Sequence, residues 1–309
     1  MTETKKPKSP VFDYFTETED VFAGGVAWCA GCTLELAARF VPKVLGKDIL
    51  LVGCPSCSAP VFFGQNRGTW HRMSYFSSLM TGVASNASGI SRIFRRTGRD
   101  TTVVCFTGDG CGADIGFQPL SGAAERNEHI IYITYDNEGY MNTGYQRSST
   151  TPLGASTSTT PAGKASGGKP TPSKYVPLLM AMHGAAYVAT ATLSHLEDFA
   201  KKLKKAKERV KEGFVYLHIF APCVMGWRIE PSTSIKVCRT AVRTNYYPLW
   251  EAENGAVRLT HEVTNPLPVG DYLKMVRKFS HLKEEDIERI TETVNRRYGL
   301  LKGLDSLNR

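Results

Sequence analysis

The chain has 309 residues, 42% hydrophobic and 22% charged, with a formal net charge of +9. This is ordinary globular composition, long enough for one large α/β unit or two smaller domains. No run of about 18 apolar residues is present, which excludes a membrane-spanning helix, and the opening MTETKKPKSPVFDYF has no apolar signal core, so a cytoplasmic protein is expected.

Residues 1–25 read as an irregular arm. After Cys32, LELAARFVPKVL has helical spacing, and DILLVG (48–53) is a short buried strand that runs into Cys54. Residues 72–97 read as a helix whose middle, GVASNASG, is small enough for close approach of another helix or a ligand. TTVVCFT (101–107) is a strand, IGFQPLSGAAERN a helix, and HIIYITY (129–135) the next strand. Strand, loop, helix and strand in this order predict an α/β fold, a parallel sheet with helices on both faces.

Residues 137–173 are rich in Gly, Ser, Thr and Pro. So long a loop in a compact domain is usually functional or disordered; here it is expected to be ordered over a cofactor or a partner subunit. Helix 175–184, strand 186–190, helix 195–211 and strand 214–220 follow, then a mixed segment from about 232 and a helix at 284–298. The run KKLKKAKERVK (201–211) is a solvated helix face or a docking surface for an acidic partner. No aromatic residues interleave it, which argues against a single-strand nucleic-acid platform, and no nucleic-acid partner is expected.

Two constellations carry chemistry. In FTGDGCG an acid, Asp109, stands between Gly108 and Gly110 at the carboxyl end of a strand, where open α/β sheets bind ligands. Glycines let the backbone approach a bulky group. A second strand ends in YDNEGYMNTG, and neighbouring parallel strands bring Asp109 and Asn137 to one edge. Both are hard oxygen ligands, suited with a backbone carbonyl and diphosphate oxygens to octahedral magnesium. The plainer reading of the acid is a helix cap.

The eight cysteines form the second constellation. Cys29, Cys32, Cys54 and Cys57 are spaced CxxC-x21-CxxC, near a zinc-ribbon signature, and four thiolates would equally hold an iron–sulfur cluster.

The string GDGCGADIGFQPLSGAAERNEHIIYITYDNEGYMNTGYQRSSTTPLGA resembles the thiamine diphosphate-binding β subunit of the 2-oxoacid:ferredoxin oxidoreductase family, most of all its pyruvate synthase-like branch. The resemblance extends from GVAWCAGC to VGDYLKMVRKFSHLKEEDIERI. It implies a thiamine diphosphate-binding fold in which Asp109, the Asn137 side chain and the Gly139 carbonyl hold Mg2+. Gly108, Gly110, Cys111, Asn142 and Thr143 would border the cofactor, with packing the plainer reading of Cys111. Cys29, Cys32, Cys54 and Cys223 would bind one [4Fe-4S] cluster, leaving Cys57 without a counterpart; Cys105 reads as packing, and Cys238 has no assigned role.

The activity so implied is coenzyme A-dependent oxidative decarboxylation of pyruvate, or its reverse, with electrons passed to ferredoxin. Oxalate, an aryl-glyoxylate or a branched-chain 2-oxoacid are alternative substrates. A non-redox thiamine enzyme and a zinc-binding interaction protein are competing classes. No catalytic carboxylate is assigned in this chain; the resemblance places the activating one on a partner α subunit, with γ and δ subunits completing the assembly. The expected division is an arm at 1–25, a cofactor- and cluster-binding α/β domain at 26–235, and an extension at 236–309 packing on partner subunits.

Overall fold

The structure is a computed structural model and describes residues 10–16, 18–62 and 71–308. The strands are β1 (Ile49–Gly53), β2 (Ser74–Ser77), β3 (Thr102–Gly108), β4 (Ile131–Asp136), β5 (Ala162–Gly163), β6 (Ser166–Gly167), β7 (Tyr187–Thr192), β8 (Val215–Phe220), β9 (Leu249–Glu253) and β10 (Ala256–His261). The helices are α1 (Pro10–Thr16), α2 (Thr33–Leu45), α3 (Ala59–Phe62), α4 (Val83–Arg96), α5 (Phe117–Glu125), α6 (Val176–Met182), α7 (Leu196–Arg209), α8 (Ser234–Arg243), α9 (Val269–Leu273) and α10 (Glu284–Leu307).

Eight strands form one sheet in the order β10-β9-β7-β8-β4-β3-β1-β2; β5 and β6 make a small separate hairpin. The six strands from β7 to β2 are parallel, and β9 and β10 add on antiparallel at one edge. Strand residues alternate between two cores, as the period of two requires. Ile49 and Leu51 of β1, Val104 and Phe106 of β3, and Ile131 and Ile133 of β4 face one core, where α2 and α7 pack through Phe40 and Phe199. Val52, Val103, Cys105 and Tyr132 face the other, covered by α4, α5 and α6 through Ala84, Leu120 and Met180. Helices on both faces of a mostly parallel sheet are thus the observed architecture.

Several expectations are corrected. Residues 72–82 are not helical: Ser74–Ser77 pair in parallel with β1, and the helix begins only at Val83 after Gly82. The small-residue stripe does sit on it, with Val83, Ala84, Ala87 and Ser88 buried. Within the arm, 10–16 is helical; residues 1–9 and 17 lie outside the described residues. The boundary at 235/236 falls inside the architecture, because β9 pairs with β7 and extends the sheet. The last helix runs on to Leu307, opened by three acids, Glu284, Glu285 and Asp286, that suit a helix N-terminus.

The segment 137–173 folds onto the strand ends. Lys169, only 2% exposed, anchors it by donating to the carbonyls of Ser149, Thr151 and Pro172. Burial lowers this lysine to about 8, so it is held by backbone dipoles rather than by an acid. The basic run lies on α7 and is largely answered within the chain. Lys202 is buried against Asp198, Lys205 pairs with Glu251 and Glu253, and Arg209 with Glu212 and Glu253. No helix of the described residues is long and apolar enough to cross a membrane.

Candidate active site

Four neighbouring strands, β8, β4, β3 and β1, point their carboxyl ends the same way. The loops that follow them carry Cys223, Asn137, Asp109 and Cys57 respectively. Chain order reverses direction between β1, whose next strand lies on one side, and β3, on the other. Such a switch point opens a crevice outside the strand ends.

All eight residues expected around a cofactor line one cleft there: Gly108, Asp109, Gly110 and Cys111 from the β3 end, and Asn137, Gly139, Asn142 and Thr143 from the β4 end. Pro55, Ser56 and Cys57 close it from the β1 side, and Met80, Tyr135, Tyr140 and Met141 complete the wall. Its volume is about 130 Å³. Among the described residues Asp109 is the one acid lining it, and no lysine, arginine or histidine does.

The glycines are sterically required. A Cβ on Gly110 would lie 2.4 Å from the Tyr140 ring, and one on Gly139 would lie 2.9 Å from the Tyr145 ring. After β3 the chain turns through a wide helical turn, Gly110–Ile115, of the π type often found at functional sites.

Asp109 is 1% exposed. Ser148 Oγ donates to its Oδ2 at 2.5 Å and Thr150 Oγ1 approaches the same oxygen at 2.9 Å. Thr150 Oγ1 also stands 2.8 Å from Asp136 Oδ1 and has one proton to share between two acids. Burial, followed by the nearby Asp136 carboxylate, drives the Asp109 pKa well above the usual range. Burial pushes Asp136 up too, but the His218 ring, 2.9 Å from its Oδ2, and Thr150 bring it net below the usual range. Among the described residues Asp109 is therefore the acid of the pair that no cation answers.

The Asn137 amide reaches across to it. One end of the amide lies 2.9 Å from the Gly139 carbonyl oxygen and 3.0 Å from Asp109 Oδ1. A nitrogen there would hydrogen-bond both; an oxygen there makes a triangle of three oxygen ligands with a shared focus.

The cysteines sort into two groups. Burial raises Cys57 to about 12, and the thiols of Cys223, Cys32 and Cys29 add to this. Cys32 is raised to about 11, again by burial first, with Cys223 and Cys29 contributing. So Cys29, Cys32, Cys57 and Cys223 share one neighbourhood. Trp28 Nε1 donates to the Cys57 carbonyl at 3.0 Å, and Thr33 Oγ1 to the Pro222 carbonyl at 3.2 Å, which ties their three segments together. Cys54 is not among them. It follows Val52 by two residues, so alternation sends it to the second core, fully buried with Cys105 and Cys111. Its pKa is raised by a hydrogen bond with the Cys111 thiol and then by burial. Of the expected set, the structure brings Cys29, Cys32 and Cys223 together and leaves Cys54 apart; Cys57, three residues on, where the loop has turned back over the strand ends, stands with them instead. Cys111 combines both readings: it lines the cleft, and its thiol packs against Cys54 and the Met80 carbonyl. Cys238 is buried elsewhere, on α8.

The two halves touch: the Asn137 amide lies 3.9 Å from Cys57 Sγ. Trp227 links them as well, its Nε1 donating to the Asn137 carbonyl at 2.9 Å while its backbone N–H closes the turn onto Cys223 at 3.0 Å. Under the Trp227 ring lies Lys278, 3.4 Å from the centroid and paired with Glu138. Among the described residues no three His, Cys, Asp or Glu side chains stand close enough to hold a single metal ion.

Comparison with known proteins agrees with this layout. The family described as thiamine pyrophosphate enzyme, C-terminal TPP binding domain, matches residues 52–219. The chain is 44% identical over 278 residues to pyruvate synthase subunit PorB of Methanothermobacter thermautotrophicus, covering 90% of this chain and 96% of that one. It belongs to the PorB/VorB family of 2-oxoacid:ferredoxin oxidoreductase subunits. The ketoisovalerate oxidoreductase subunit VorB of Pyrococcus furiosus is 37% identical, over 93% of this chain and 94% of that one. The β subunit of NADH-dependent phenylglyoxylate dehydrogenase from Aromatoleum evansii is 43% identical over 92% of this chain, which spans 64% of that subunit's length. Among solved structures, a 2-oxoglutarate:ferredoxin oxidoreductase from Magnetococcus marinus shares the fold, with a TM-score of 0.56 and 23% identity over 76% of this chain and 82% of that one. As a PorB/VorB-type subunit the chain carries a thiamine diphosphate-binding domain and serves an enzyme built with partner subunits.

Ser148, Thr150, Asp136 and His218 are site residues that sequence reasoning missed. The hydroxyl run SSTT (148–151), a few residues after NTG, was the available signal for the first two.

Proposed function

We propose that the chain is the β subunit of a coenzyme A-dependent 2-oxoacid oxidoreductase that decarboxylates pyruvate, or runs in reverse, and passes electrons through a [4Fe-4S] cluster to ferredoxin. The observation that carries this reading is the junction of a diphosphate-type cleft with a four-thiol neighbourhood, 3.9 Å apart at Asn137 and Cys57. A non-redox thiamine enzyme has no use for the thiols.

The residues fit the groups. Mg–O bonds of about 2.0–2.1 Å put adjacent octahedral oxygens about 2.9 Å apart. The Asn137 amide meets that spacing, at 2.9 Å from the Gly139 carbonyl and 3.0 Å from Asp109 Oδ1. A cation there answers the Asp109 charge, while Asn142 and Thr143 line the same cleft beside the cofactor. Around the thiols, Gly226 N–H donates to Cys223 Sγ at 3.2 Å, and the buried Tyr145 hydroxyl, in electrostatic reach of Cys223, has no partner among the described residues. Such donors suit cluster sulfurs, and a four-iron cluster sets its thiolates further apart than one zinc ion does.

Thiamine diphosphate supplies an electron sink for the carbon left when carbon dioxide departs. The chain's part is to hold and orient. Asp109, Asn137 and the Gly139 carbonyl fix the metal, the glycines admit the diphosphate, and Cys57 brings the electron acceptor against the same wall.

The cleft is incomplete. At about 130 Å³ it is below the range of pockets that enclose a whole cofactor. Its one acid among the described residues would be committed to the metal, which supports an activating carboxylate supplied by a partner α subunit. The exposed side chains Leu300 and Leu307 on α10 support packing of the C-terminal region on partner subunits. The purified chain alone should show no 2-oxoacid-dependent reduction of a viologen dye, while the reassembled complex turns over; full activity of the lone chain would contradict this.

Pyruvate leads on the identity to PorB; an aryl-glyoxylate is the second reading, favoured by the 43% identity to the phenylglyoxylate enzyme's β subunit. A panel of 2-oxoacids with the purified complex, followed by ferredoxin reduction, tests both. The highest kcat/KM on pyruvate supports the first, and on phenylglyoxylate the second.

A further inference from the structure

Lys278 is a cation buried beside both halves of the site. Its side chain has no exposure, and its ammonium has one hydrogen-bond partner among the described residues, Glu138. The rest of it lies on the Trp227 ring, 3.4 Å from the centroid, a face that attracts an ammonium. Lys169 and Lys202 are buried as well. Three carbonyls hold the first, and a carbonyl, Asp198 and the Thr260 hydroxyl hold the second. Lys278 instead leans on a ring.

Both of its partners belong to the site. Glu138 stands between Asn137 and Gly139, and its φ of 60° is in the left-handed region. A non-glycine residue stays there only where its surroundings enforce it. The Glu138 N–H donates to Asp136 Oδ1 at 2.8 Å, Thr151 Oγ1 donates to the Glu138 carbonyl at 2.7 Å, and the Tyr246 hydroxyl donates to Glu138 Oε1 at 3.1 Å. The turn so held carries the Glu138 carboxylate onto Lys278, whereas its two neighbours line the cofactor cleft. Trp227 is tied to the Asn137 carbonyl and to the Cys223 turn, as described above. Gly226, whose N–H donates to Cys223 Sγ, shares a wall with Lys278. Lys278 is in electrostatic reach of Cys223.

A buried ion pair adds little to stability, because desolvating both groups offsets their attraction. Its field acts on any neighbour whose charge changes, and acts strongly in a low-dielectric interior. A [4Fe-4S] cluster takes up one electron and no atom on reduction, and the charge around it helps to set its potential. We propose that Lys278 raises the reduction potential of the cluster at Cys223, and that Glu138 is the positioning residue that aims its ammonium there. The cluster rests on the function proposed above; the buried cation and its aim rest on the geometry. In that reaction the decarboxylated substrate gives up the electron, so a higher potential draws it out of the cofactor cleft.

The test uses the assembled complex and a dye-mediated redox titration read by low-temperature EPR. The signal of this chain's cluster is the one that Cys223→Ser removes. In Lys278→Met the equilibrium constant for its one-electron reduction should fall at least tenfold, a drop of about 59 mV in midpoint potential, with the iron content unchanged. Glu138→Gln leaves the cation without its counter-charge and should move the potential upward. The neutral double variant should lie between the two, and Lys278→Arg should stay near wild type. Opposite signs are what a field produces and a packing defect does not. An unmoved potential in Lys278→Met with its iron in place, or shifts of one sign in both single variants, overturns the proposal. Should Lys278→Met lose its cluster, Glu138→Gln decides: a rise upholds the proposal, and a fall or no change overturns it. If Cys223→Ser removes no signal, the cluster reading itself fails and the proposal falls with it.

Discussion

Replacing Asp109 with alanine should reduce the affinity for magnesium and thiamine diphosphate by at least 100-fold, about 2.7 kcal/mol, and abolish turnover in the complex. Calorimetry on the folded variant measures it; wild-type cofactor affinity would show that the metal is held elsewhere. The reason is electrostatic. Among the described residues Asp109 is the single acid of the cleft, buried with two hydroxyls and an amide but no cation. Without a metal its pKa is raised, so the sign of the pH effect is fixed: metal-free stability falls as pH rises from the ordinary carboxylate range toward the raised value. Asp109→Asn removes this dependence. The asparagine variant should therefore melt at least as high as wild type near neutral pH after chelation, and gain nothing from added magnesium. A wild-type response of that variant to magnesium and thiamine diphosphate would count against the assignment.

The second large effect concerns iron. Cys57→Ser should strip or degrade the cluster, with loss of iron and of the low-temperature EPR signal of the reduced complex, and should stop electron transfer. Cys223→Ser should do the same. Cys54→Ser should keep its iron and most of its activity, losing only about 1–3 kcal/mol of stability because a hydroxyl replaces a thiol in an apolar core. Full iron in Cys57→Ser together with iron loss in Cys54→Ser would restore the ligand set expected from the sequence. The distinction rests on which side of β1 each side chain leaves the sheet.

That same alternation shows what was legible in the sequence. Strands β3, β4 and β8 were readable because uninterrupted runs such as TTVVCFT and FVYLHIF are buried on both faces of a parallel sheet. Asp109 and Asn137 followed from these, since strand ends in such sheets share an edge. The count of two from Val52 to Cys54 was equally available, and would have turned that thiol into the core before resemblance assigned it to a cluster. Residues 72–82 failed for another reason. Ser74–Ser77 have no apolar alternation, because β2 is an edge strand with three of its four residues exposed, and its pairing with β1 is a tertiary event. Ser148 and Thr150 were hidden in a polar loop, where no periodicity marks which hydroxyl points inward. Strands β9 and β10 were read as a mixed tail, since β10 is largely exposed and its sheet partner lies in the same hairpin.

A cleft with no lysine, arginine or histidine among its described residues bears on how an enzyme of the proposed function would choose its substrate. A 2-oxoacid presents a carboxylate, and no cationic side chain among the described residues of the cleft would answer it. Under the proposed function, choice of substrate would then lie with the partner subunit and this chain would serve as a common engine. Relatives of similar identity, 44%, 43% and 37%, accordingly bear the names of pyruvate, phenylglyoxylate and ketoisovalerate enzymes. Under the same proposal a change of diet would be made by new residues across the interface, with this chain's Gly-Asp-Gly and thiols kept as they are.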